Sequence, residues 1–122
     1  MTNIFVFGSN LSGIHGAGAA YVAWKQHGAV WGQGEGQWGN SYAIPTKDGY
    51  LRTLALWQID INIKNFSIWV GQHPDFGYYL TPIGCGLAGY KRRQIKPLFL
   101  KYGVDVLPNV SWADSWNDKD IN

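Results

Sequence analysis

The apolar residues of this chain fall into two rhythms that alternate along it. Asn3 to Phe7 is an unbroken β-branched and aromatic run closed by Gly8-Ser9-Asn10, the pattern of a strand buried on both faces in a parallel sheet. Ala17, Ala20, Tyr21 and Trp24 then recur at helical spacing, which predicts a helix ending at Gly28 as its C-cap. Ala29 to Asn40 holds four glycines and two tryptophans and predicts an irregular loop. Ser41 to Ile44 predicts a short strand closed by Pro45, Thr46 to Gly49 a turn, and Tyr50 to Leu54 an extended linker. Leu56, Ile59, Ile63, Phe66 and Val70 are spaced three, four, three and four, a helix over Leu56 to Gln72 that stops before His73-Pro74. Tyr78 to Pro82 predicts another strand. Lys91 to Tyr102 follows as a helix bent or divided at Pro97, Val104 to Leu107 as a further strand, and Ser111 to Asn122 as a polar, frayed tail.

Strands alternating with helices imply an α/β fold, a three-layer sandwich with a largely parallel central sheet, in which ligands bind outside the carboxyl ends of the strands. At 122 residues the chain has room for one domain, expected over 1–110, with 111–122 as the tail.

Composition narrows the function. With 46% hydrophobic and 15% charged residues the chain is not disordered. A net charge of +2 is too mild for a duplex nucleic-acid binder, and the only basic cluster, Lys91-Arg92-Arg93, also fits a solvated helix face. Seven Trp and seven Tyr exceed the needs of one small core, so some are candidates for stacking on a base or sugar. One cysteine excludes an internal disulfide and any multi-cysteine metal site, and with no export or membrane signal the expected compartment is the cytoplasm.

Two strands run into glycine-rich turns. One is Gly8 to Gly18; the other is Ile83-Gly84-Cys85-Gly86-Leu87-Ala88-Gly89-Tyr90, followed by Lys91-Arg92-Arg93. Glycines let a ligand approach the main chain, and a helix opening at Lys91 would aim its unpaired first-turn amides at the second turn, a setting for phosphate. Neither loop is a known nucleotide fingerprint taken alone. There is no GxxxxGK[ST]. Two such loops on neighbouring strand ends would grip a diphosphate from both sides.

The segment Gly8-Ser9-Asn10-Leu11-Ser12-Gly13 with its small-residue sequel resembles the first ligand loop of macro domains. Leu80-Thr81-Pro82-Ile83-Gly84-Cys85-Gly86-Leu87-Ala88-Gly89-Tyr90 resembles their second, and Gly39 to Lys47 is similar to the entry of their next strand. The closest likeness is to small macro-like proteins of bacteriophages, and it covers roughly Ile4 to Phe99. It implies a small macro domain-like fold that binds ADP-ribose or a related nucleotide, with no cofactor. By the same resemblance, Asn10 sits near the distal ribose, Gly16 to Gly18 and Gly84 to Gly89 hold the diphosphate, and Tyr90 packs on the ligand. The N-terminal strands that carry the adenine-reading acid in larger macro domains are, by the same resemblance, not expected here. Ala19 and Ala20 stand where hydrolases of the family keep an Asp.

The expected ligand residues are Asn10, Gly13, His15, Gly16, Ala17 and Gly18, then Glu35, then Gly84, Cys85, Gly86, Leu87, Ala88, Gly89 and Tyr90. Each has an alternative. Asn10 can cap a turn, His15 can pair with a phosphate or be idle, and Glu35 can touch ribose or face water. Cys85 would be a favoured thiolate if it lay at a helix N-terminus, yet no His is placed as its base. No metal is expected, since no second His or Cys lies at ligand spacing. The expectation is capture of an ADP-ribose-like nucleotide signal without chemistry, a sponge of use to a phage against host defence. The alternatives are an ADP-ribosyl hydrolase using Asn10, His15 or Glu35 to position water, and a single-stranded nucleic-acid binder.

Overall fold

The computed structural model describes residues 2–120. In chain order the elements are β1 (Thr2–Asn10), α1 (Gly18–Gln26), β2 (Gly36–Trp38), β3 (Ser41–Lys47), α2 (Leu56–Gln72), β4 (Phe76–Leu80), α3 (Arg92–Lys101) and β5 (Val110–Trp112). They form a five-stranded sheet of order β2-β3-β1-β4-β5, in which β1 pairs parallel with β3 and β4, β4 parallel with β5, and only β2 is antiparallel.

Period-two alternation sorts the strand side chains into two cores. Ile4 and Val6 of β1, Tyr42 and Ile44 of β3, and Tyr78 and Leu80 of β4 pack with Ile59, Ile63, Phe66 and Val70 of α2 and with Ile95 and Phe99 of α3. Phe7 and Ala43, from the other face, pack with Ala20 and Ala23 of α1. Helices therefore cover both faces of a mostly parallel sheet, α1 on one side and α2 with α3 on the other. Among the described residues no helix is long and apolar enough to cross a membrane.

The helix Leu56–Gln72 has the bounds expected from periodicity, and three of the four parallel strands, β1, β3 and β4, fall on the expected strand segments with shifted ends. Other segments differ, each for a physical reason. Within Ala29 to Asn40, expected as loop, Gly36–Trp38 pairs with β3. It is pinned by Gln37, whose Oε1 accepts from Trp69 Nε1 and from the Tyr78 hydroxyl, both at 2.9 Å. β3 does not stop at Pro45 but runs to Lys47, because Ala43 is the last residue with a β2 partner and Pro45 lies beyond that ladder. On α1 the inward face is Ala20 and Ala23, while Tyr21 is exposed and Trp24 tilts onto Trp31 at 4.8 Å. α3 runs unbroken through Pro97, held by the fully buried Ile95 and Phe99.

The C-terminal region is the largest difference. Val104–Val106 is a 3-10 turn, not a strand, and the last strand is β5. Beyond 110 the chain belongs to the fold: Ala113 N and Trp116 Nε1 both donate to Leu80 O at 2.9 Å, and Trp116 is buried 5.7 Å from Phe99. A boundary after 110 would cut β5 in two. Residues 121 and 122 of the expected tail lie outside the described residues.

Candidate functional site

β1 and β4 are parallel neighbours, yet the loop after β1 leads to α1 on one face and the loop after β4 leads to α3 on the other. Loops that part in this way open a crevice at the carboxyl end of the sheet. Here it is a cleft of about 520 Å³ between the two glycine loops.

The first loop is built from inside. Asn10 Oδ1 accepts Ile14 N at 3.0 Å and its Nδ2 donates to Ile14 O at 2.8 Å, so the carboxamide closes the 10–14 turn from the edge of the cleft. Behind it the loop crosses the segment after α1 at bare-backbone distance. A Cβ on Gly34 would lie 1.9 Å from Asn10 O, and one on Gly13 would lie 2.3 Å from Gln33 N. Gly13 thus serves the crossing and does not line the cleft. His15 is fully buried, with Nε2 shared between Val30 O at 3.0 Å and Gln33 O at 3.1 Å and the ring edge-on to Phe7. Two carbonyls at Nε2 place the hydrogen there, and Nδ1 has no partner among the described residues. His15 is a peg for the 30–33 loop and is not among the cleft residues, so the expected phosphate contact is not made from there.

Gly16, Ala17, Gly18, Ala19 and Ala20 line the cleft, with Ala17 as the N-cap of α1 and Gly18 to Ala20 in its first turn. The N-cap residue, Ala17, has an extended backbone and no side chain that can accept, and the first turn has no acid. The first-turn amides of a helix point out along its axis. Those of Gly18 to Ala20 have no acceptor among the described residues, the first helical bond being Tyr21 N to Ala17 O at 3.3 Å.

The second loop closes on itself through Cys85 N to Pro82 O, Gly89 N to Gly86 O and Tyr90 N to Gly84 O. The amides of Gly84, Gly86, Leu87 and Ala88, all cleft residues, have no acceptor among the described residues. Cys85, Gly89 and Tyr90 face a separate hollow shared with Lys91, Arg92 and residues 118–120. Tyr90 braces the loop by donating to Leu54 O at 2.6 Å, so the expected packing of its ring on the ligand is not what the fold provides. Burial pushes the Cys85 thiol up to about 11, partly offset by Arg92, so a favoured thiolate does not form at neutral pH.

α3 does not serve the cleft as expected. Its first amides are taken by the chain's own Asp120, whose carboxylate accepts Arg92 N at 2.7 Å and Arg93 N at 3.3 Å. The same carboxylate pairs with both guanidinium groups, and Arg92 Nε donates to Ser115 O at 2.7 Å. The basic cluster is thus a docking point for the C-terminal segment. Those amide hydrogen bonds, Arg92 first, hold the Asp120 carboxyl below the ordinary carboxylate range. Glu35 is exposed beside β2, away from the cleft, where Trp38 Nε1 donates to its carbonyl at 3.0 Å.

The fold adds residues that periodicity did not single out, above all Lys47. It ends β3 opposite Asn10 in register, lines the cleft half-buried, and has no ion pair among the described residues. Ser9, Thr46 and Thr81 also line the cleft. A strand carried past Pro45 would have brought Lys47 to the sheet's carboxyl end. No group of His, Cys, Asp and Glu suited to a metal ion occurs among the described residues. The cleft is therefore rich in hydrogen-bond donors, and its one ionisable lining side chain is a cation.

No protein-family model, curated protein or solved structure matches this chain.

Proposed function

We propose that the cleft binds an ADP-ribose-like nucleotide through its diphosphate and holds it unchanged. The observation that carries this reading is the helix α1 N-terminus, which opens into the cleft uncapped and opposite a second run of unpaired amides. An anion there gains several charge-assisted hydrogen bonds together with the positive end of a helix dipole. Lys47 adds a full positive charge at the rim of the sheet. The resemblance of both loops to those of macro domains, including small phage proteins, supports the same ligand class.

Capture fits the cleft better than hydrolysis. Of the groups that would position water, Asn10 is tied to Ile14, His15 is buried in the loop crossing, and Glu35 lies outside. Arg92 and Arg93 dock the C-terminal segment, which speaks against a phosphate track for single strands. A sponge of this kind works in the cytoplasm, that of the host if the chain is phage-encoded.

The test is a titration of the protein with ADP-ribose and its cyclic relatives, following free ligand by chromatography before and after heating. Capture predicts loss of one equivalent per chain and full recovery of intact ligand. Conversion continuing past one equivalent would show an enzyme.

A further inference from the structure

The polar groups of the cleft divide into those already taken and those left over, and the division is informative about the ligand. Every side-chain hydroxyl in the lining donates to a main-chain carbonyl: Ser9 to Gly34 O, Thr46 to Ser9 O at 3.3 Å and Thr81 to Val6 O at 2.6 Å. The Asn10 carboxamide binds both backbone groups of Ile14. No carboxylate and no aromatic ring is among the lining residues. What remains to meet a ligand is backbone amides from two loops, the Lys47 ammonium, the acceptor lone pairs left on those hydroxyls, and apolar surface from residues such as Ile14, Leu51 and Leu87.

Nucleobase recognition commonly draws on a side-chain amide, a carboxylate or a ring, and this inventory holds none of them uncommitted. Adenine and guanine are told apart by acceptors and donors set against their edges, and a base is gripped without being read by an aromatic face. The aromatic residues of this chain are elsewhere. Phe66, Tyr78, Phe99 and Trp116 are in the core, Trp24 of α1 packs on Trp31, and the exposed Tyr50 and Trp57 are not among the lining residues. Phosphate oxygens, by contrast, are acceptors only, and match the unpaired amides and the ammonium of the lining.

We infer that the cleft reads the diphosphate and not the base, so that its ligand class is the nucleoside diphosphate sugars as a group. This rests on the diphosphate reading of the cleft given above. Expulsion of base specificity also makes Lys47 the residue whose loss weakens every member alike.

The experiment is calorimetric titration of the full chain with the diphosphate riboses of adenosine, inosine, guanosine and uridine, and with inorganic pyrophosphate. The expected result is dissociation constants for the four esters within about threefold of one another, where a site built to hydrogen-bond a base would separate them by orders of magnitude. Lys47→Ala is expected to weaken all four by a common factor of about ten, the loss of one charge-assisted contact. An adenosine ester bound about thirtyfold or more tighter than the others overturns the inference while leaving the diphosphate reading intact. Failure of all four esters and of pyrophosphate to bind removes the diphosphate reading, and this inference with it.

Discussion

Gly86 and Gly34, in different loops, show that glycines can be required for different reasons. A Cβ on Gly34 would collide with Asn10 O, so substitution there disturbs the fold. Gly86 lines the cleft with an ordinary backbone conformation, and a Cβ on it would meet open space. Gly86→Val should therefore leave the melting temperature nearly unchanged and abolish ADP-ribose binding, since the added branches occupy ligand volume. A Gly86→Val protein that binds as well as the parent would place the ligand elsewhere. Asn10 and His15 carry a related lesson. Their residue types and glycine-rich setting were visible in the sequence, but their roles depended on which carbonyls came within reach. Ile14 lies four residues from Asn10, whereas Val30 and Gln33 come to His15 through a crossing that no local pattern displays.

At the scale of elements, α1 is a helix whose start is left without a cap. Replacing Ala by a capping residue at an N-cap typically stabilises by about 1 kcal/mol. Ala17→Asp should thus raise the urea midpoint, while its carboxylate occupies the position proposed for phosphate and repels it. Stability and binding are predicted to move in opposite directions. Loss of both, or gain of both, would contradict the assignment. α3 shows the complementary arrangement, with Asp120 already seated on its first amides. The contrast explains what could be read in advance. α2 was legible because five apolar residues repeat at helical spacing and four of them are fully buried. β2 was not, because Gln37 is held by Trp69 and Tyr78, partners remote in sequence. The closing segment was misread because its polar composition hides one residue, Trp116, that fills a gap beside Phe99.

For the whole molecule, three carboxylates clamp separate parts of the fold. Asp120 is held by the Arg92 amide and its neighbours, Asp60 by the Tyr102 hydroxyl and then Lys101, and Asp48 by the Arg52 amide in the turn after β3. Each has its pKa lowered on folding, so each contributes stability that is complete above the ordinary carboxylate value and is lost as pH falls through the folded one. The urea midpoint should be level from neutrality to about pH 5 and fall below about pH 4. A midpoint that rises on acidification would contradict these clamps. The α/β fold class and the meeting of two glycine loops at the carboxyl end of the sheet followed from the alternation of strand and helix. Lys47 and the masking of α3 by Asp120 did not, since they depend on strand register and on a contact across 28 residues.

The central claim is that the amides at the start of α1 and in the 84–88 loop are the anion-binding groups. Proton–nitrogen correlation spectra of the labelled protein, recorded while ADP-ribose is added, test it residue by residue. The account predicts that the amide signals of Gly16 to Ala20 and of Gly84, Gly86, Leu87 and Ala88 shift together and saturate at one equivalent. Those of Arg92 and Arg93, already bonded to Asp120, stay in place. Shifts centred on Arg92 and Arg93, or saturation that leaves the α1 amides unmoved, would contradict it.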